Sequence, residues 1–431
     1  MRINNKIKVL IGTSIISILI IFIINKIFYK DEINLIKNEE LEGNITFVSN
    51  RTDKREEIEE LIEEFESLNP KVSIELELLG DASTILYKRA LVGELPDVTL
   101  VPGGINVTDY YKYFLPIDDL GFNRDNIYNY EVGLSKDNHL YCITTSLNWN
   151  GFIYNKSIFK EAKIDKLPST IDEFFDVCER IKSLGVVPIA LNYKQGWLMD
   201  KWIDFVPYVI DKNLESRVIY DNINILDDNS SIFKSINFVR DIVQNKYCEE
   251  DLLSYEWKNC KEDIRDGRVG MFLGNSDFKY QLEDLGMNID DIGMFPLMGS
   301  DAISIYGDYS MGVSKETRYP EASKAFLKFL FEENRYANAV DILSPLKNSE
   351  KNKEFFKELE KFNLPLDIYG EKVKINSEGV NDTHEYYDTL RKSIGIDSSF
   401  VQSYSICDNP EEIRNKINSE WSELRKSILL E

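Results

Sequence analysis

Residues 44–80 read NITFVSNRTDKREEIEELIEEFESLNPKVSIELELLG, and this stretch decides the fold. Its first six residues alternate apolar and polar side chains, which predicts a half-buried strand. Apolar residues then recur at helical spacing with acids between them, namely Ile58, Leu61, Ile62, Phe65 and Leu68. Thr52 or Asp53 can cap this helix, and Asn69-Pro70 is predicted to end it. A second strand is predicted from 72 to 79.

The alternation of strand and helix continues along the chain. Residues 81–92 predict a helix and 98–101 a strand, so the opening third predicts a parallel sheet with helices on its faces. Ligands of such folds bind at the carboxyl ends of the strands. Further strands are predicted at 139–143, 149–154, 186–191, 269–273 and 309–313, and further helices at 171–184, 197–210, 231–246, 258–265, 320–331 and 410–429. This pattern and the length predict an α/β protein of two lobes joined by crossing strands.

An apolar run precedes this region. It spans residues 9–24 and continues to Tyr29, which as a helix would measure about 30 Å and cross a hydrocarbon core. Basic residues precede the run and no acid occurs before Asp31, so the N-terminus is predicted to be cytoplasmic. We predict that residues 1–30 form a cytoplasmic stub and an uncleaved membrane anchor, with a cleaved signal peptide as the alternative. Residues 31–43 are predicted to be a spacer.

The net charge indicates which partners to exclude. The 431 residues carry a formal charge of −23, and from Asp31 onward 46 basic residues face 74 acidic ones, a formal charge of −28. Such a domain repels nucleic acid and anionic lipid surfaces. The sequence therefore predicts a water-facing extracytoplasmic body with no nucleic-acid partner.

The sequence lacks the motifs of catalytic and metal sites. His139 and His384 are the only histidines, and no zinc motif, phosphate-binding glycine loop or G-x-S-x-G occurs. Five cysteines, of which the first is Cys142, are spread without a pattern, which predicts free buried thiols and no disulfide framework. We therefore predict no enzyme, no catalytic residue, no metal site and no cofactor.

The tryptophans indicate the kind of ligand. Trp149, Trp197, Trp202 and Trp257 lie in or near polar segments, whereas Trp421 lies on the apolar stripe of the last helix and is predicted to be in the core. A flat ring beside amide and carboxylate groups suits a sugar, which has an apolar C–H face and hydroxyl edges. We expect at least one of the three tryptophans in loops to contact ligand, and packing is the alternative for each.

Several stretches, in their order and spacing, resemble the extracellular solute-binding proteins, family 1, of ABC sugar transporters. They are ITF (45–47), NRTD (50–53), LIEEFESLNPKV (61–72), LPDV (95–98), WNGFIYNKSIF (149–159), PSTIDEF (168–174), GRVGM (267–271), IGMFP (292–296), GDYSMGVS (307–314), PEA (320–322) and FLKFL (326–330). The resemblance covers most of residues 44 to 345.

This resemblance implies a periplasmic-binding-protein-like fold, in which two α/β lobes joined by a hinge enclose a ligand cleft. It implies an N-terminal lobe at 42–146 and 300–345, and a C-terminal lobe at 147–299 and 346–431. Members in Gram-positive bacteria usually carry a lipid-modified cysteine near the N-terminus, and this chain has none there. The apolar N-terminal run is therefore expected to serve as the anchor on the outer face of the cell membrane.

The resemblance also implies where the ligand binds. Asp53 and Asp308 would accept hydrogen bonds from sugar hydroxyls, Arg51 would donate to sugar oxygens, and the tryptophan rings would stack. Capping a helix is the alternative role of Asp53. The full set of expected ligand contacts is Asn50, Arg51, Asp53, Asp81, Trp149, Trp197, Trp202, Trp257, Asn275, Asp308 and Tyr309.

The implied function is capture of a mono- or oligosaccharide and its delivery to the permease subunits of an ABC importer. Three alternatives remain: a ligand sensor that signals to a membrane partner, a polysaccharide-active hydrolase, and a binder of a polyamine, peptide or metal chelate. The acidic charge favours a polyamine, whereas the tryptophans favour a sugar.

Overall fold

The computed structural model describes residues 41–221, 223–369 and 380–428. Within these ranges the strands, in chain order, are β1 (Gly43–Ser49), β2 (Val72–Leu78), β3 (Val98–Leu100), β4 (Cys142–Thr144), β5 (Asn150–Asn155), β6 (Val187–Ala190), β7 (Val269–Asn275), β8 (Ile292–Phe295), β9 (Ile303–Ile305), β10 (Ser310–Val313) and β11 (Leu366–Ile368).

Helices cover the faces of the sheets. In chain order they are α1 (Arg55–Leu68), α2 (Ala82–Leu91), α3 (Tyr110–Tyr113), α4 (Lys156–Glu161), α5 (Ile171–Lys182), α6 (Gly196–Met199), α7 (Lys201–Asp204), α8 (Val206–Ile210), α9 (Leu214–Tyr220), α10 (Ser231–Gln244), α11 (Trp257–Arg265), α12 (Phe278–Asp284), α13 (Pro320–Phe331), α14 (Arg335–Ala339), α15 (Glu350–Glu360), α16 (Val380–Ser393), α17 (Ser398–Ile406) and α18 (Pro410–Ile428).

The first lobe is built on a five-stranded sheet in the order β2-β1-β3-β10-β4. β1 runs parallel to β2 and β3, as the sequence predicts, but β10 is antiparallel to both β3 and β4, so the sheet is mixed. Helix α1 covers one face through Ile58, Leu61, Ile62 and Phe65, all buried at the predicted spacing. The ring of Phe326 on α13 closes this core, 5.1 Å from that of Phe65 and 5.2 Å from that of Phe47.

The second lobe is built on a four-stranded sheet in the order β6-β7-β5-β8. β7 is buried along its whole length, which is typical of a central strand with helices on both faces. Phe152 on β5 lies 4.9 Å from Phe174 on α5 and 5.3 Å from Phe295 on β8, measured between ring centroids. A pair of parallel strands, β9 and β11, lies beside this sheet.

The chain crosses between the lobes more than once. It leaves the first sheet after β4, enters the second at β5, and returns to the first at β10. The crossing segments are hydrogen-bonded to each other, because the Asn148 and Tyr306 N–H groups donate to each other's carbonyl oxygens at 2.7 and 2.9 Å. The Leu147 N–H donates to the Leu343 carbonyl at 3.0 Å. These bonds join the segments that connect the two lobes.

Two local predictions are wrong. The helix predicted at 197–210 is divided into α6, α7 and α8. The division between α7 and α8 lies at Phe205, which has non-helical backbone angles, and Pro207 shortly after it lacks an N–H. Neither Thr52 nor Asp53 caps α1, since Lys54 occupies the N-cap position and no side chain bonds there. The Asp53 carboxylate is instead bound to Arg51.

The predicted membrane anchor at 1–30 and residues 31–40 of the predicted spacer at 31–43 lie outside the described residues. Among the helices that the structure does describe, none is both long enough and apolar enough to span a bilayer.

Candidate functional site

The loop after β1 carries three of the expected contacts, and its charges are already paired within the protein. The Arg51 guanidinium donates to both carboxylate oxygens of Asp53, at 2.9 and 2.8 Å, and to the Val340 carbonyl at 2.6 Å. Hydrogen bonds and attraction to Arg51 lower the pKa of Asp53, although its partial desolvation acts in the opposite direction. Asn50 begins the loop, and its carbonyl accepts a hydrogen bond from the Thr52 N–H at 3.0 Å. The loop is therefore largely preformed.

The end of β7 faces this loop from the second lobe. The Asn275 side-chain oxygen accepts hydrogen bonds from Lys201 and, at 3.0 Å, from the Tyr306 hydroxyl. Two residues further, the Asp277 N–H donates to the Asn148 side chain at 3.2 Å, which fixes the backbone of this turn. The Oδ1 atom of Asp277 is buried and has no hydrogen-bond partner.

Desolvation and like charge set the protonation of this region. Desolvation raises the pKa of Asp277 to about 7, and the carboxylate of Asp308 adds to the shift, whereas Arg51 and Lys201 oppose it. Desolvation also raises the pKa of Asp308. This residue is accessible to solvent, but protein atoms surround it on most sides. The same cause lowers the pKa of Lys201 to about 8. Within the described chain, none of Asp277, Asp308 and Lys201 has an ion-pair partner within 4.0 Å.

Asp308 also lines a cavity of about 390 Å³ on the side of the first lobe. This volume lies within the ordinary range of small-molecule pockets, about 300–1,000 Å³. Its wall combines two tyrosines with apolar and small residues; the lining residues are Ser83, Val101, Pro102, Gly103, Ile105, Tyr110, Val132, Asp308, Tyr309 and Ser310. Asp81 is exposed at the start of α2, and its charge contributes to the raised pKa of Tyr309 after desolvation and Asp308.

Close packing holds the segment that carries Asp308. A Cβ atom added to Gly307 would lie 2.4 Å from Cγ2 of Thr144, a separation that real side chains essentially never show. A side chain at 307 would therefore displace either β4 or the turn that carries Asp308.

Two of the expected aromatic contacts form a platform on the second lobe. The Trp197 ring is 46% exposed and meets Trp257 and Phe278 edge to face, with centroids 6.0 and 5.8 Å away. The ammonium group of Lys261 lies over the Trp257 ring, 5.5 Å from its centroid. Desolvation lowers the pKa of Lys261, and the Asp53 carboxylate opposes that shift, so the platform is near the loop after β1.

The other two tryptophans lie in the core. Trp202 is 2% exposed on α7 and packs 5.7 Å from the Phe238 ring, which favours the packing alternative for this residue. Trp149 is 3% exposed in the crossing segment and packs 5.8 Å from Phe362. Trp421 is fully buried, in agreement with its predicted core position. We do not propose Trp149 or Trp202 as ligand contacts.

The structure thus brings together most of the expected residues. One region of interacting charged and polar groups contains Arg51, Asp53, Asn275 and Asp308. Adjacent to it lie Asp81, Tyr309, Trp197 and Trp257. Sequence reasoning missed Asp277 and Lys201. Asp277 had a usable signal, since it is a polar residue just beyond the carboxyl end of a fully buried strand. In the part of the chain that is described, no group of three or more His, Cys, Asp or Glu could hold a metal ion.

Comparison with known proteins relates the chain to one family. The family model of the bacterial extracellular solute-binding proteins matches residues 49–334. The multiple sugar-binding protein of Streptococcus mutans is 30% identical over 146 residues, which are 33% of this chain and 34% of that protein. An ABC transporter extracellular-binding protein of Pyrococcus horikoshii is 31% identical over 159 residues, 33% of this chain and 35% of that protein. The chain therefore matches about a third of the length of these curated relatives.

Solved structures resemble the whole two-lobed fold. A binding protein of an ABC transporter from Bifidobacterium animalis, in complex with mannobiose, has a TM-score of 0.74 at 20% identity and covers 90% of this chain and 95% of its own. A Bacillus licheniformis sugar transporter protein in complex with stachyose has a TM-score of 0.68 at 16% identity, with 89% of this chain and all of its own covered. At these identities the likeness shows the fold.

Proposed function

The chain belongs to the bacterial extracellular solute-binding proteins, and we propose that it captures an oligosaccharide between its lobes and delivers it to the permease subunits of an ABC importer. The observation that carries this proposal is the half-exposed Trp197 ring near a region of unpaired polar groups. A sugar presents an apolar C–H face to such a ring and hydroxyl groups to the carboxylates. The sugars named in the complexes of similar fold support this class of ligand.

Binding would close the lobes over the ligand. A ligand that contacts both lobes favours the closed arrangement by its differential affinity for it. Arg51 and Asp308 on the first lobe and Asp277, Lys201 and Trp197 on the second provide contacts of the required kinds. We propose that Asp277 and Asp308 accept hydroxyl hydrogen bonds and that Lys201 donates to an oxygen of the ligand. The protein would bind without turning its ligand over.

The lobe boundaries of the proposal are those from the sequence, 42–146 with 300–345 and 147–299 with 346–431. The five-stranded sheet, whose strands come from residues 43–144 and 310–313, supports the first pair except at β9, which pairs with β11 beside the second sheet. The four-stranded sheet, from residues 150–295, supports the second. The apolar run at 9–29 would hold both lobes on the outer face of the cell membrane, near the importer.

A thermal-shift screen on the detergent-solubilised full chain tests the ligand class. Mannobiose, mannotriose, raffinose and stachyose are compared with spermidine and a short peptide. A sugar present at about 100 times its Kd should stabilise the folded state by about 2.7 kcal/mol and raise Tm. Recovery of the sugar unchanged after long incubation is expected, and its cleavage would favour a hydrolase. A shift with spermidine or peptide and with none of the sugars would overturn the proposal.

A further inference from the structure

Among the described residues, Lys54 is the one buried lysine. It makes close ion pairs to both lobes. Its side chain is 8% exposed, and its Nζ lies 2.9 Å from Oδ2 of Asp341 and 3.2 Å from Oδ2 of Asp284. Asp341 follows α14 and belongs to the first lobe, as does Lys54. Asp284 ends α12 on the second lobe. A buried ammonium group requires such partners, because its desolvation is otherwise costly.

The electrostatics of Lys54 agree with this geometry. Burial by itself lowers the pKa of Lys54, but the hydrogen bonds to Asp341 and Asp284 outweigh that effect and raise it. Glu57 on α1 is 3.7 Å away and adds a weaker attraction. Two further cations share the surroundings, since the charge of Asp284 acts on Lys261 and that of Asp341 acts on Lys351.

Lys54 is fixed to the first lobe independently of Asp284. Its N–H donates to the Arg51 carbonyl at 3.2 Å, within the loop that Arg51 fastens to the Val340 carbonyl. Asp341, which pairs with Lys54, is the residue after Val340. The loop after β1 is therefore held to two adjacent residues of the first lobe. Any movement of α12 relative to the first lobe therefore changes the separation between Lys54 and Asp284.

We propose that Lys54 is a positioning residue that ties the lobes together through Asp284 and thereby sets how easily they separate. This inference rests on the proposed function, since lobe closure around a ligand is its premise. Without the pair, Asp284 and Asp341 would face each other as like charges and favour the open arrangement. A protein whose closed arrangement is less populated binds ligand more weakly, even when no ligand contact has changed.

Distances between the lobes test this proposal without any ligand. Leu91 on the first lobe and Leu253 on the second are 60% and 69% exposed, so spin labels can be attached at Leu91→Cys and Leu253→Cys. Cys248 and Cys407 are partly exposed and are replaced by serine, whereas Cys142, Cys178 and Cys260 are buried. Pulsed electron paramagnetic resonance on the detergent-solubilised full chain then gives the distribution of distances between the lobes.

The variants are chosen as a matched set. Asp284→Asn removes the pair between the lobes, Asp341→Asn removes only the pair within the first lobe, and Asp284→Glu keeps the carboxylate. We expect Asp284→Asn to shift the distances and the other two to stay near the parent. Salt of about 500 mM, at which the Debye length is about 4 Å, should shift the parent toward Asp284→Asn. Unchanged distances in Asp284→Asn, or an equal shift in Asp341→Asn, would overturn the proposal.

Affinity supplies the second readout, with mannotriose as the probe. Asp284→Asn should raise the Kd about two- to five-fold at low salt, the range of a partly exposed ion pair, and Asp284→Glu should restore it. An equal Kd in parent and Asp284→Asn, with mannotriose bound by both, would count against the role of Lys54. Failure of mannotriose to bind the parent would count against the proposed ligand, and the ligand-free distances would still decide the role of Lys54.

Discussion

The two lobes present different kinds of side chain to the space between them. On the first lobe the loop after β1 carries Arg51 and Asp53, whose charges are paired with each other. On the second lobe the turn after β7 carries Asp277, which has an unpartnered oxygen, and α6 carries the half-exposed ring of Trp197. The difference indicates that the first loop serves mainly as a rigid support, whereas the second surface retains binding capacity for a ligand.

The largest effect expected from this comparison is on stability. Arg51→Met removes three hydrogen bonds and leaves Asp53 and the Val340 carbonyl without their donor. The free energy of unfolding should fall by about 2–3 kcal/mol, measured by urea denaturation. Asp53→Asn is the matched control, and because its carboxylate is 45% exposed it should cost less than about 1 kcal/mol. Equal stability of Arg51→Met and the parent would mean that the loop is held in some other way.

Asp277→Asn should show the opposite behaviour, a loss of affinity without a loss of stability. A hydrogen bond to a charged acceptor is stronger than one to a neutral acceptor, so the Kd for the bound sugar should rise about tenfold by calorimetry. Tm should stay the same or increase, because the substitution removes a desolvated and unpaired carboxylate. Asp290→Asn, an exposed position on the same lobe, is the control. A fall in Tm without a change in Kd would assign Asp277 to structure.

Trp197→Ala should reduce affinity by a smaller amount. Loss of a stacking surface is expected to raise the Kd about three- to tenfold, given about 0.5–1.5 kcal/mol for contacts of this type. Tyr386→Ala removes an exposed aromatic ring from α16 and should leave the Kd unchanged. If Trp197→Ala binds sugar as the parent does, the ring serves only to pack against Trp257 and Phe278.

The sequence predicted local elements better than it predicted exposure. The α1 helix follows from apolar spacing alone, and the four residues that it buries are those that the pattern indicates. Trp197 and Trp202 are five positions apart in similar surroundings, yet one is half-exposed and the other is in the core. Whether a ring faces solvent depends on where α6 and α7 pack. This is a tertiary property that has no signature in neighbouring residues.

The candidate site shows the same limit. Arg51, Asp53 and Asp308 were predicted because they follow strand ends or match family stretches. Asp277 was missed, since its position just beyond the carboxyl end of β7 is the one feature that distinguishes it among 74 acidic residues. Its distinctive property, a pKa raised to about 7, arises from desolvation and from Asp308 and is visible only once the lobes are assembled.

That pKa also predicts that binding and stability depend on pH, and the change in affinity is the smallest effect expected for Asp277. Asp277 in the folded protein binds its proton up to about pH 7, whereas an unfolded chain releases it near 3.8. Between these values the folded state holds more protons than the unfolded state, so this group makes stability fall as pH rises from about 4 to 7. The affinity for the sugar should instead increase as pH rises, because the ionised carboxylate is the stronger hydrogen-bond acceptor.

Comparison of the parent with Asp277→Asn isolates this contribution from the other carboxylates. The difference in unfolding free energy between them should grow in favour of the variant from pH 4 to 7 and then level off. The Kd of Asp277→Asn for the sugar, divided by that of the parent, should increase by less than tenfold from about pH 6 to 8. A difference that stays constant across both ranges would mean that Asp277 titrates normally. The second lobe would then present an ordinary ionised carboxylate, and the contrast with the paired loop of the first lobe would rest on hydrogen bonding alone.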